Sequence, residues 1–167
     1  MNARDRRLLD DLLDSWDRNN RILVNLLRAI PADAMDLSPA EGSPSIGKLF
    51  WHMNYCRQVF VAEDAPELST FVDTGHSEGV SDAGQLAEML DESAKAVREA
   101  VKNRVETSRP MEKHYDYPIL MLQHMIWHEG YHHGQVKLTL KMAGKPITIE
   151  QASPLTWGVW LRKTNQA

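Results

Sequence analysis

The run His124-Met-Ile-Trp127-His128-Glu129-Gly-Tyr131-His132-His133-Gly134-Gln135 carries the strongest chemical signal in this chain. His124, His128 and His132 recur every fourth residue, a spacing that stacks side chains on one face of an α-helix. Two imidazoles one turn apart can hold a single metal ion, with each nitrogen about 2.0–2.1 Å from zinc. All three cannot share one ion, because His124 and His132 would stand about 12 Å apart along the helix axis. One of the end histidines therefore packs, faces substrate or supports a ligand from behind, and a third ligand must come from elsewhere. His52, between Trp51 and Met53 on another predicted helix, is the candidate. Three histidines with positions left for water form a catalytic pattern rather than a closed structural one. Any one of these histidines taken alone is more simply a packed or solvated side chain. The pair His128–His132 together with His52 favours a metal.

The same run satisfies a rival pattern. His128-Glu129-x-x-His132 is the zincin signature, in which the glutamate is the general base of a metallopeptidase. In that alternative Glu150, 18 residues beyond His132, supplies a carboxylate ligand. The extended metzincin form is absent, since Gln135 and Leu138 stand where it needs glycine and histidine. Outside the zincin reading, Glu129 is either a solvated acid or a group that orients an imidazole.

Cys56 lies one turn after His52, so a chelate between them is conceivable, but a small buried thiol is the commoner use of such a residue. Cys56, His124 and Tyr131 are candidates to line a substrate pocket. Trp51, Trp127 and Tyr131 read by their helical spacing as core. His76 and His114 fall in predicted loops and read as surface histidines.

Helices must position these residues. Apolar residues at three- and four-residue steps (Leu9, Leu12, Leu13, Trp16, Leu23, Leu26, Leu27, Ile30) predict an amphipathic helix over about residues 4–30, stopped at Pro31. Residues 31–44, with three prolines, read as a loop. Ser45 can cap a second helix over about 46–63. Residues 64–80 look irregular, and Asp82 with Gln85 resembles a capping box opening a third helix to about 104. After a polar loop at 105–116, a fourth helix runs from about Pro118 to Ala143 and ends on Gly144. The tail from Ile147 is apolar enough to pack back on the domain, and Ile147–Ile149 is the one stretch with strand-like alternation. These elements predict an all-α four-helix bundle with a C-terminal tail packed on it. In an up-down-up-down bundle the second and fourth helices run parallel, and His52 and His128 then sit at similar heights.

Composition sets the wider bounds. With 167 residues, 43% hydrophobic and 25% charged, the chain suits a single domain over residues 1–167. A net charge of −4 and no basic cluster argue against nucleic acid as a partner. No apolar run approaches the roughly 20 residues that span a bilayer, so no membrane partner is expected. A single cysteine excludes an intrachain disulfide framework, and the N-terminus shows no apolar signal core. A cytoplasmic location is expected.

Ser45-Ile-Gly-Lys-Leu-Phe-Trp-His52-Met and His124-Met-Ile-Trp-His128-Glu-Gly-Tyr-His132-His-Gly-Gln135 together resemble the DinB-like (YfiT-type) four-helix-bundle metalloenzymes. Gly-Lys-Pro after the fourth helix and Ser153-Pro-Leu-Thr-Trp157-Gly-Val-Trp160 fit the same family, and the resemblance spans most of the chain. His133 stands where the family often carries arginine. The resemblance implies one divalent ion, commonly zinc or nickel, held by His52, His128 and His132. It implies a small-molecule substrate, a low-molecular-weight thiol such as bacillithiol or mycothiol as cosubstrate in transferase chemistry, and a homodimer. A hydrolase is the equal reading beside the thiol transferase, and a non-enzymatic metal-binding scaffold stands with the zincin-like peptidase as the alternative. If the second and fourth helices are parallel, the site lies towards the bundle end capped by loops 31–44 and 105–116. There the helix N-termini attract an anionic ligand. Arg109, Lys113 and His114 would add to that attraction, although a plain solvated loop is the simpler reading of them.

Overall fold

Local side-chain chemistry starts the first three long helices. Asn2 Oδ1 accepts from the Asp5 amide at 2.9 Å to open α1 (Ala3–Ala29). Ser45 Oγ accepts from Lys48 N at 3.3 Å to open α2 (Ile46–Asp64). Asp82 Oδ1 accepts from Gln85 N at 2.8 Å to open α3 (Ala83–Glu106). Such caps satisfy amide groups that the first helical turn leaves unpaired. α4 (Ile119–Met142) follows Pro118, and Gly144, at φ +73°, ends it by letting the chain reverse. A full capping box is seen at Thr148 and Gln151, where α5 (Ile149–Leu155) begins, and α6 (Trp157–Leu161) follows directly. The structure, a computed structural model, describes residues 1–72 and 82–161. Among the described residues there is no strand, and Ile149 opens α5 instead of extending one.

The four long helices form the bundle expected from their apolar stripes, and the tail packs back as α5 and α6. Arg18 Nη1 donates to the Val159 carbonyl at 2.7 Å and Asn25 Nδ2 to the Leu155 carbonyl at 3.2 Å, tying the tail to α1. Among the described residues, no helix is long and apolar enough to cross a membrane.

The direction of the helices differs from the up-down-up-down expectation. One half of the core gathers Leu23 and Leu27 from late α1, Ile46 and Phe50 from early α2, Leu86 and Leu90 from early α3, and Val136 and Leu140 from late α4. The other half gathers Leu9 and Trp16, Val61, Val97 and Val101, and Met121 and Met125. α2 and α3 therefore run parallel to each other and antiparallel to α1 and α4, and α2 meets α4 head to tail. α3 packs between α1 and α2, and α4 closes the other side. Loops 31–44 and 105–116 consequently lie at opposite poles: Asp33 is ion-paired with Lys145 just past α4, whereas Glu112 N donates to the Asp64 carbonyl at the end of α2.

The core is close-packed around Trp16, which is fully buried and donates its indole N–H to the Ala94 carbonyl at 2.9 Å. Each buried Leu, Val or Phe of this interior contributes about 1.5–3 kcal/mol relative to exposure.

Candidate metal centre

Antiparallel packing of α2 on α4 sets the middle of one helix against the middle of the other, and three imidazoles meet there. His52 Nε2 lies 3.2 Å from His128 Nε2, and His132 Nε2 lies 3.1 Å from the same atom. Ring centroids are 5.2 Å apart for His52–His128, 4.9 Å for His52–His132 and 4.6 Å for His128–His132. Two nitrogens bound to one tetrahedral ion at about 2.0–2.1 Å stand about 3.4 Å apart, close to these spacings. Cys56 Sγ sits 3.6 Å from His52 Nε2, and one donor atom each from His52, Cys56 and His128 fall within 4.8 Å of one another. His132 joins the group through His128.

The donor chemistry fits a divalent cation. His132 Nδ1 is 2.7 Å from Gln135 Oε1, an oxygen that only accepts, so the ring proton sits on Nδ1 and the Nε2 lone pair faces His128. His128 Nε2 has two neighbouring nitrogens but at most one proton to share. His128 Nδ1 is buried with no hydrogen-bond partner among the described residues. Proton placement on three neutral rings thus leaves lone pairs facing one another, and a shared cation resolves that conflict. Burial, then the His132, His52, His124 and Arg57 charges, push the His128 imidazole down to about 4, so it is neutral as ligation requires. His52 is lowered by burial and by His132.

The remaining predicted residues are placed more variously. Cys56 is half-buried beside His52 rather than sealed in the core, and burial together with the Glu129 carboxylate pushes its thiol up to about 11. His124 does not reach the group: its Nδ1 is 2.9 Å from the Tyr115 hydroxyl, and its ring is 6.2 Å from that of His128. Trp127 and Tyr131, expected in the core, are 73% and 59% exposed on the outer face of α4. Tyr131 nonetheless touches the site, accepting at its hydroxyl from Gln135 Nε2 at 3.0 Å. Trp51 is half-buried and stacks on Tyr55 with centroids 4.9 Å apart.

Glu129 is neither solvated nor bonded to an imidazole. Its side chain is fully buried and accepts from Arg57 Nε at 2.6 Å, from Arg57 Nη2 at 3.0 Å and from Asn19 Nδ2. Arg57 Nη1 donates to Asn20 Oδ1 and to the Leu90 carbonyl, both at 2.8 Å, and the guanidinium lies 4.8 Å over the Trp16 ring. Desolvating two such charges costs several kcal/mol per ion before their mutual attraction is counted. With both oxygens engaged, Glu129 has no geometry for a general base. Glu150 is exposed in the first turn of α5 and is not part of the histidine group. Arg57, Asn19 and Asn20 were not anticipated from sequence, yet each interrupts an apolar helical stripe, a signal of a buried polar partner.

The expected anionic entry at loop 105–116 is also revised. Arg109 pairs with Glu67 at 3.0 Å and Lys113 with Glu63 at 2.6 Å, while His114 Nδ1 is 2.8 Å from Asp64 Oδ2, so local carboxylates already engage them. His76 lies outside the described residues. His52, Cys56, His124 and His128 are all half-buried along the α2–α4 seam, while Arg57 and Glu129 lie in the interior beneath them. The half-buried histidines thus lie on the flank of the bundle, not at an end.

Comparison with known proteins gives one result that bears on this geometry. No match was found among curated proteins or among solved structures. The model of the DinB family matches residues 1–152, which takes in all four long helices and every histidine of the cluster. The chain belongs to the DinB family.

Proposed function

We propose that this protein is an enzyme that binds one divalent metal ion, zinc or nickel, through His52, His128 and His132. Its substrate is a small molecule and its cosubstrate a low-molecular-weight thiol. The observation that carries this reading is that His128 Nε2 has a ring nitrogen on either side of it, His52 Nε2 at 3.2 Å and His132 Nε2 at 3.1 Å. A bound divalent ion would act as a Lewis acid and lower the pKa of a water or thiol near it. The chain's own residues do the rest. Gln135 holds the His132 ring with its Nε2 lone pair inwards. Cys56 lies beside His52, and in the metal-free chain burial and the Glu129 carboxylate push its thiol up to about 11. The Tyr115–His124 pair borders the site on the side of early α4 and offers a hydroxyl and a ring nitrogen to a ligand. The favoured chemistry is substitution at an electrophilic carbon. The S–C bond forms as the bond from carbon to its leaving group breaks, the leaving group departs with the electron pair, and the thiol proton goes to solvent. Attack by an activated water in place of the thiol is the hydrolytic variant.

Elemental analysis coupled to a turnover screen tests this. Purified protein should carry about one metal per chain, and His52→Ala, His128→Ala and His132→Ala should each lose it, since two ligands hold a divalent ion poorly. Thiol consumption with electrophilic substrates should stop on chelation and return with metal. Full occupancy in all three variants would overturn the ligand set. Tight metal without any turnover would assign a scaffold instead of an enzyme.

A further inference from the structure

The Arg57–Glu129 pair touches no ligand atom, yet each member is tied rigidly to one. Arg57 lies five residues after His52 on α2, and Glu129 follows His128 directly on α4. Within a helix these separations are fixed at about 7.5 Å and about 1.5 Å of rise. Whatever sets Arg57 against Glu129 therefore sets His52 against His128. We propose that the buried Arg57–Glu129 ion pair is a register key for the candidate metal centre: two positioning residues that fix how far α2 is slid along α4. Its functional meaning rests on the three-histidine reading, but the register is a property of the metal-free chain.

Four features support it. The fork is bidentate, with Nε on one carboxylate oxygen at 2.6 Å and Nη2 on the other at 3.0 Å, so it fixes orientation as well as distance. Apolar ridges and grooves repeat with every helical turn, so packing alone tolerates a slip of one turn, about 5.4 Å. Such a slip would break both bonds of the fork and carry His52 away from His128. At the site itself the facing side chains are the polar, half-buried His52, Cys56 and His128, which add no apolar layer there to hold the register. Finally, the pair is referenced to the whole bundle. Asn19 and Asn20 bond it from α1, the Leu90 carbonyl and Ser93 from α3, and the Trp16 ring lies beneath the guanidinium. A buried ion pair is seldom required for stability, because apolar residues of similar volume often serve as well. Fixing one arrangement among several is the role left for it.

The test compares wild type with the double variant Arg57→Met/Glu129→Met, and with Arg57→Lys, which keeps the charge but not the fork. The first readout is metal-free: ring-proton nuclear Overhauser effects between His52 and His128. The second is cobalt(II) affinity and the visible absorption of the cobalt-loaded protein. In the double variant helicity should persist while the His52–His128 effect disappears. Cobalt affinity should fall by about tenfold or more, the size expected when support behind a ligand is lost, and the absorption should broaden. Arg57→Lys should show the same changes, smaller. If the double variant does not fold, Arg57→Lys decides alone. A folded variant of either kind with wild-type Overhauser effects, cobalt affinity and spectrum would overturn the proposal. Failure of wild type to bind cobalt would instead sink the metal reading, and the Overhauser comparison would still decide the register.

Discussion

His132 presents Nδ1 to Gln135 Oε1 at 2.7 Å, and Gln135 in turn donates from Nε2 to the Tyr131 hydroxyl at 3.0 Å. The amide is held at both ends, so it fixes the tautomer of the ring as well as its tilt. Gln135→Leu should therefore lower metal affinity by about 10- to 100-fold with little change in the urea midpoint. Tyr131→Phe, which removes the outer anchor only, should have a smaller effect. Isothermal titration with zinc against a competing chelator measures both, and an unchanged affinity in Gln135→Leu would show that the His132 ring is positioned by packing alone.

The identity of the third ligand is open to a direct distinction, because Cys56 Sγ is 3.6 Å from His52 Nε2 while His132 Nε2 is 3.1 Å from His128 Nε2. The three-histidine set predicts that Cys56→Ser keeps metal stoichiometry while His132→Ala loses it. It also predicts a cobalt-substituted protein with no intense near-ultraviolet thiolate-to-cobalt band. A strong band, lost in Cys56→Ser, would move Cys56 into the ligand set.

Much of this architecture was legible in local signals. Helix ends follow from Ser45, Asp82 and Gly144, whose effects act within one turn of the residue itself, whereas the Asn2 cap was not anticipated from the sequence. The direction of the helices was not legible, because apolar periodicity says which face is buried and nothing about which neighbour it meets. The clue was length: α2 is about 28 Å long, and a link over residues 65–82 is long enough to return along it, at up to about 3.3–3.6 Å per residue. A link of that length permits parallel neighbours, and α2 and α3 are parallel. The buried polar network was half-visible. Arg57 continues the stripe Phe50, Asn54, Val61; Glu129 falls between Met125 and His132; Asn20 falls between Trp16 and Leu23. A charge on the α2 stripe and its opposite on the α4 stripe are a pair waiting to be matched. Trp127 and Tyr131 misled for the converse reason: an aromatic at helical spacing is as compatible with the outer face of α4 as with the inner one.

The pH dependence of the metal-free protein follows from His128. Its folded imidazole is held at about 4, below the ordinary 6.5, by burial and then by neighbouring positive charge. Between those values the unfolded chain binds more protons than the native one, so stability rises with pH. This contribution is complete above 6.5, is lost as pH falls, and stays lost below about 4. In the presence of chelator, the urea midpoint of wild type should drop more between about pH 7.5 and about pH 4.5 than that of His128→Gln, which has no group to charge. Parallel curves for the two proteins would show that His128 is not penalised for protonation in the native state.

The last prediction concerns where a ligand enters. His52, Cys56, His124 and His128 are half-buried along the α2–α4 seam, and Arg109 and Lys113 are already paired with Glu67 and Glu63 at the pole beyond early α4. The N-termini of α2 and α4 point to opposite ends of the bundle, so their dipoles do not converge on one substrate. Arg109→Ala and Lys113→Ala should accordingly leave the affinity for a low-molecular-weight thiol within about twofold of wild type, because exposed ion pairs contribute little beyond their own carboxylates. Salt should weaken binding only modestly for the same reason. Chemical-shift changes on adding the thiol to zinc-loaded protein should concentrate at residues 52–60 of α2 and 124–135 of α4, including the Tyr115–His124 pair that borders them. Shifts centred on residues 105–113, with affinity lost in Arg109→Ala, would return the entrance to the end of the bundle and leave the flank as a closed wall over the histidines.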